Sequence, residues 1–597
     1  MKKQGLLTTQ LKKQQFTFFG ILVITLIVLN IFAEAIYRRI DLTKEKRYTL
    51  SPATQNLVDK LDDVIYFNVF LEGDMPSSYK RLRTSTKDML NEFRHASGGK
   101  IEFHFEDILE GKAINEKEDI IKQLYNKGVE YARPEISEED ATNTDKYIIP
   151  GGTAFYKGVE YPVNFLKREF GRDLESEING SIELLEYEIG NALRKALTGK
   201  EVKIAFTQGH GELEYIEVAD ISKKLNEFYK VESINLNMND TNFLKRYANR
   251  VLENPEQQDQ ILIDAALKDM LQYKGLIVAK PRFSFNSTEK FLLDQYVMNG
   301  GRVIWLIDAL IADIDSVAKY PNLMTADYDI NLNDLFFKYG VRINPTLIQD
   351  LQCHGIPVLQ QKGGSRPGFL PWLFYPTFSP DSKHPIARNL TSVWGRFVNN
   401  IDTVSKGNQT KTVLLHSSEA SRLAYNPVSI SMNIVAMKPD KNLFIKGNQT
   451  AAILVEGEFK SPFKFRDGFR DKTSIKFKEQ IAYNRMIFIA DGDLIANQKS
   501  SRGEVYPLGY DRFASSHFGE PVQFANAKFF LNCVDYLCDE SNLIEVRSKE
   551  IVLRLLNKPK VKEEKRFWQM FNMVLPLFLL LLFGLTNAYI RKRKYTH

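Results

Sequence analysis

The sequence predicts an α/β protein with one long apolar segment at each end. Short apolar runs alternate with amphipathic stretches of helical period from about residue 47 to the VIWLI run at 303–307. That rhythm belongs to mostly parallel strands covered by helices. Two uncharged runs, Phe16–Ala33 (FTFFGILVITLIVLNIFA) and Phe567–Ile590 (FWQMFNMVLPLFLLLLFGLTNAYI), stand at the termini. At ~1.5 Å per residue each can cross a hydrocarbon core of ~30 Å. From about 320 to 475 the helical period gives way to Pro- and Gly-rich loops with short β-like runs, so a β-rich insertion is expected there.

Composition narrows the function classes. The 597 residues allow several domains, and 80 basic against 74 acidic side chains leave a net charge of only +6. Both signs are interleaved, so no concentrated basic face argues for nucleic acid. Three cysteines give neither a disulfide framework nor a CxxC site, and eight histidines show no HxxxH or HxH spacing. No metal and no cofactor is expected. Ala33-Glu34-Ala35 would suit a signal cleavage site, but the apolar run before it is longer than a signal core, which favours an anchor. Basic residues flank both sides of both runs, so charge does not fix the orientation.

The elements follow in order. Ser51 as N-cap and Pro52 at the first helical position open a short helix. VIYFNVFL (64–71) is a strand, and a helix follows with Tyr79, Leu82, Met89, Leu90 and Phe93 on one side. Gly98-Gly99 ends it before the alternating strand IEFHF (101–105). Residues 148–163 form two strands around Lys157-Gly158, and Ile182–Leu197 is a helix closed by Gly199. This succession suggests a thioredoxin-like α/β domain over 47–199 without the redox motif of that fold. A second α/β region begins with the strand VKIAF (202–206) and the loop QGHGE. A helix bearing Val218, Ile221, Leu225 and Phe228 comes next, then the strand LIVA (276–279). Asn286 with Glu289 forms a capping box for the next helix, which Gly300-Gly301 stops ahead of VIWLI. KGNQT occurs at 406–410 and again at 446–450, each time before an apolar run, as matching turn-to-strand corners would. MIFIA (486–490) is a further buried strand and Phe529–Leu537 a closing helix.

Ligands of open parallel sheets bind beyond the carboxyl ends of the strands. The four strand ends here carry Gln208, Gly209, His210, Gly211 and Glu212; Lys280 and Arg282; Asp308; and Asp491 with Asp493. These residues form a candidate crevice, although Asp and Gly also close strand ends simply because they suit turns. A catalytic set does not assemble. There is no GxSxG elbow, no GxxxxGK[ST] and no GxGxxG, and Cys353 and Cys533 lack an elbow context. No catalytic residue is therefore assigned.

The segments RYTLSPAT, VFLEGDMP, FTQGHGELE, FLLDQYVMNGGRVIWLID, FIADGDLIAN and FFLNCVDYL, enclosed by the two apolar runs, resemble the gliding-motility-associated ABC-transporter auxiliary family GldG of Bacteroidota. The resemblance runs through nearly the whole chain. It implies a flavodoxin-like, class I amidotransferase-like parallel α/β domain over 200–545, interrupted by the insertion at about 320–475. It also implies inner-membrane helices at 16–36 and 567–590, cytoplasmic tails at 1–15 and 591–597, and the bulk of the chain in the periplasm. The expected function is that of a non-enzymatic subunit working with a membrane permease and an ATP-binding subunit, able to bind a periplasmic protein or glycan. The rival expectation is a membrane-tethered hydrolase or sugar-modifying enzyme that uses the strand-end crevice.

Overall fold

A computed structural model describes residues 18–28, 49–133, 147–168, 173–198, 201–253, 255–320, 322–358, 368–380, 384–404, 408–466, 468–469, 473–500, 502–548 and 558–595. The expected features at 1–17, 29–48, Gly199, Gly363-Gly364, Pro367, Lys406-Gly407 and 596–597 lie outside the described residues. The chain divides into one compact unit, residues 1–549, and a second at 550–597.

In the first unit, Phe18–Val28 is an apolar helix within the expected N-terminal segment. Ser51 caps the helix Pro52–Asp59 by accepting from the Thr54 N–H. A four-stranded sheet follows in the spatial order 101–105, 65–69, 151–156, 159–164. Its first pair is parallel and the other two are antiparallel. Lys157 (φ 48°) and Gly158 (φ 83°) make the two-residue turn between the last strands, the left-handed geometry that matches strand twist in a hairpin. Helices Ser77–Ala96 and Leu174–Thr198 pack together beside this sheet. Tyr79, Leu82, Met89, Leu90 and Phe93 are all buried, as their helical spacing predicts. The second helix is longer than its sequence pattern indicated, starting at Leu174.

The larger sheet has seven strands in the order 409–416, 450–460, 480–489, 302–306, 275–279, 203–208, 230–235. The last five run parallel, and the first two join antiparallel. Residues alternate between two cores, as a strand's two-residue period requires. Ala205, Leu276, Val278, Trp305 and Phe488 face helices containing Phe243, Ile263 and Phe291. Ile204, Phe206, Ile277, Ile304 and Ile487 face the helix Asn526–Cys538 through Phe529, Phe530 and Leu537. The β-rich stretch divides. Strands 409–416 and 450–460 extend the main sheet, and the apolar runs after the two KGNQT corners pair with each other. Strands 346–350, 353–358 and 368–378 enclose a smaller core around Trp372, Phe374 and Phe397, whereas Val341 and Ile343 of strand 341–344 join the main-sheet core.

A buried ion cluster ties the two sheet regions together. Arg194, from the Leu174–Thr198 helix, meets Asp535 at 3.2 Å and Asp539 at 3.0 Å, and Tyr229 donates its hydroxyl to Asp535 at 2.6 Å.

The second unit contains the helix Lys558–Tyr595, of which Glu563–Lys594 is long and apolar enough to cross a membrane. Its apolar side chains are exposed along the whole length.

Candidate functional site

The four strand ends singled out in the sequence lie along one edge of the seven-stranded sheet. Parallel pairing brings strands 203–208, 275–279, 302–306 and 480–489 side by side in that order, so Gln208–Glu212, Lys280, Asp308 and Asp491–Asp493 emerge from the same side. They form two neighbouring clusters.

The first cluster is the QGHGE loop. Gln208 is half-buried and donates to the Leu213 carbonyl at 3.2 Å. Gly209 (φ 110°) lies so close to Asn235 that a Cβ would sit 2.4 Å from its side-chain oxygen, and at Gly211 (φ 72°) a Cβ would sit 2.8 Å from the Phe283 ring. Only glycine combines that backbone geometry with that proximity. His210 is buried, its ring stacked on Phe285 at 3.7 Å. Its Nε2 lies 3.0 Å from Glu289. A carboxylate only accepts, so Nε2 carries the proton. Nδ1 is buried, 3.9 Å from Glu212 and without a hydrogen-bond partner among the described residues. Glu212 accepts from the His210 N–H at 2.6 Å and from the Thr207 hydroxyl at 3.0 Å. Glu289 also completes the capping box with Asn286 and accepts the Met238 N–H at 3.1 Å. The histidine is thus a tie between the loop and a helix start. Arg282 and Phe283 donate their N–H groups to the His210 carbonyl at 2.7 and 2.9 Å, and both side chains are exposed.

The second cluster centres on Lys280, which follows its strand directly and adopts φ 54°. That is a strained conformation for a residue with a side chain. Its ammonium is buried between Asp493 at 2.6 Å and Asp308 at 3.2 Å. Burial would lower the Lys280 ammonium, but Asp308 and Asp493 outweigh it and hold the group well above the usual lysine range. Burial likewise would raise Asp493, yet Lys280 and Arg396 keep it below the ordinary carboxylate value. Burial pushes Asp308 up against the pull of Lys280. Asp491 is almost fully enclosed; burial, with the charges of Asp308 and Asp493, pushes it up to about 8.

The insertion closes this cluster from above. The Arg396 N–H donates to Asp491 at 2.9 Å, and its guanidinium donates to the Asp493 and Ala496 carbonyls, each at 2.7 Å. Asn399 accepts the Ala309 N–H at 2.8 Å and donates its own N–H to the Ala490 carbonyl at 2.9 Å. The chemistry available is charge neutralisation and hydrogen-bond closure. The strained strand-end position that could present a nucleophile holds a locked, protonated lysine. Cys533 is fully buried in a helix, where burial raises its thiol well above the usual range.

Sequence reasoning missed Arg396 and Asn399, which come from a loop with no local signal, and saw Glu289 only as a helix cap. It also missed a cavity of about 210 Å³ at the carboxyl ends of strands 65–69 and 101–105, with Phe70, Met75, Ile148 and Ile149 in its wall and Asp107 and Glu110 at its polar side. The acidic turn LEGDMP after a predicted strand was the available signal.

The described residues thus form a mixed α/β protein whose parallel strand ends gather the QGHGE loop and the Lys280 cluster on one side. A family model described as an ABC-type uncharacterized transport system, an auxiliary-protein family, matches residues 201–533. That is more than half of the chain, and the chain belongs to this family. A model described as a domain of unknown function matches residues 44–154. An uncharacterized protein of Borreliella burgdorferi is 21% identical over 567 residues, covering 93% of this chain and 94% of its own. Among solved structures, the mmIFT52 N-terminal domain is similar at 11% identity and a TM-score of 0.30, over 59% of this chain and 100% of that one. The family and the apolar C-terminal helix together give a transport-associated accessory role at a membrane.

Proposed function

We propose that the chain is a non-enzymatic, membrane-anchored subunit of an ABC transport complex, working with a membrane permease and a separate ATP-binding subunit. The observation that carries this is the closed strand-end edge. Lys280 pairs with Asp308 and Asp493, and Arg396 closes over Asp491 and Asp493 with hydrogen bonds, where an enzyme of this sheet type would expose its reactive group. In this reading energy comes from the partner ATPase, and the chain holds or positions. Anchorage is by the 567–590 helix together with the 16–36 segment, with the bulk in the periplasm.

The strand order of the parallel part, 2-1-3-4-5 in chain sequence, supports a flavodoxin-like domain over 200–545. The parallel-antiparallel-antiparallel order of the smaller sheet supports a thioredoxin-like domain over 47–199. The gliding-motility assignment rests on the sequence resemblance alone. For contact with a partner protein or glycan, we propose the exposed rim of the QGHGE loop, where Tyr215, Arg282 and Phe283 reach solvent. Affinity purification of the full chain from mild detergent tests the assignment. Permease and ATP-binding subunits should copurify, and repeated recovery without either would overturn it.

A further inference from the structure

The C-terminal helix is not uniformly apolar around its circumference. At 100° per residue, Gln569, Asn572, Pro576, Gly584 and Asn587 fall within an arc of about 120°. The opposite side carries Phe571, Phe578, Leu582, Leu585 and Tyr589, all exposed. Two other polar groups of the helix are satisfied locally: Thr586 donates to the Leu582 carbonyl at 2.6 Å, and the Trp568 indole N–H to Glu564 at 3.0 Å. The amides of Gln569, Asn572 and Asn587 make no hydrogen bond among the described residues.

Depth sharpens the point. Within Glu563–Lys594, Asn572 lies roughly 10 Å from the midpoint, inside a hydrocarbon core of ~30 Å. Pro576 has no N–H to give to the carbonyl four residues earlier, which is that of Asn572. One level of the helix therefore carries both a side-chain amide and a backbone acceptor deprived of its usual donor. Lipid can satisfy neither.

We propose that this face pairs, in parallel, with the same face of a second copy of the chain. The proposal rests on the reading of this helix as a membrane span. The commitment to a second copy follows from self-complementarity. An asparagine amide both donates and accepts, and a parallel copy presents the same group at the same depth. Under a two-fold axis each Asn572 side chain donates to the Asn572 carbonyl of its mate, which completes both helices at once. Gly584 on the same arc allows the backbones to approach.

Cysteine cross-linking of the full chain in native membranes tests this, with the half-buried Cys353 replaced by serine and the buried Cys533 and Cys538 retained. Leu580→Cys and Phe583→Cys, on the polar arc, should give oxidised dimer. Phe578→Cys and Leu585→Cys, opposite, should give little. Adding Asn572→Leu should lower the Leu580→Cys dimer yield about fivefold to tenfold, the scale of lost interhelical hydrogen bonds in lipid. Equal yields from both faces, indifference to Asn572→Leu, or an adduct between the polar-face cysteines and a different protein would each overturn the pairing. Alkaline extraction of the same membranes separates the two levels. Release of the chain defeats the membrane reading and the pairing with it, whereas retention without a face preference defeats the pairing alone.

Discussion

The two sheets of the first unit finish their parallel strands in opposite ways. At the larger sheet the carboxyl ends are sealed: Lys280 bridges Asp308 and Asp493, and Arg396 and Asn399 close over them. At the smaller sheet the corresponding ends leave a cavity of about 210 Å³, with Asp107 and Glu110 at its polar side and Phe70 and Met75 in its wall. The difference lies in what the chain supplies next. Loops of the long insertion return across the edge of the larger sheet, whereas at the smaller sheet the connection after strand 101–105, which contains the helix Ile114–Asn126, lines the cavity with Lys117, Tyr147 and Ile148 and does not fill it. Strand ends of a parallel sheet are thus a location for chemistry, and the connecting chain determines whether that location is used, filled or left open.

Breaking the seal should have the largest effect. Lys280→Met would leave Asp308 and Asp493 buried without their cation, and a loss of about 3–5 kcal/mol is expected. Urea unfolding of the full chain in detergent, followed by tryptophan fluorescence, measures it. A near-neutral result would show that the cluster is solvated and the comparison wrong.

His210→Ala comes next, at about 1–3 kcal/mol, because Glu289 loses a partner and Phe285 its stacked ring. Recovery of the transporter subunits should fall in step with stability. Loss of transport with stability and assembly intact would instead favour the enzymatic alternative.

The third test is pH. Asp491 has a folded value near 8 against 3.8 in the reference state. The folded chain therefore holds a proton that the unfolded chain has released. This contribution is complete below about pH 4, declines by at most about 1.4 kcal/mol per unit toward pH 8, and levels off above. Subtracting the unfolding profile of Asp491→Asn should isolate that slope. Parallel profiles would mean that Asp491 is ionised in the fold.

At the open edge, Glu110→Gln should change stability by less than about 0.5 kcal/mol, as expected for an exposed side chain. A loss as large as that at Lys280 would erase the contrast between the two edges.

Much of the local structure was legible from residues alone. Ser51-Pro52, the Asn286–Glu289 capping box, the Lys157-Gly158 hairpin turn and the buried stripe of the Ser77–Ala96 helix all appear where spacing placed them. The candidate crevice was legible as a set of strand ends, and strand pairing did bring those ends together. Its closure was not legible, since Lys280 and Asp493 are 213 positions apart. The β-rich stretch was also read too simply, because two of its strands belong to the main sheet.

The sequence by itself determined the features that depend on a few neighbouring residues: helix caps, strand periods, the positive-φ glycines of QGHGE, and an apolar helix with amides on one side. These are set by backbone sterics and hydrophobic period, which act within a turn or two of chain. The tertiary structure alone decided strand order, the two extra antiparallel strands, and the pairing of Lys280 with Asp308 and Asp493 among the strand ends. Burial and charge pairing act through space, so the partners of Lys280 and His210 come together only once the sheet has set its register.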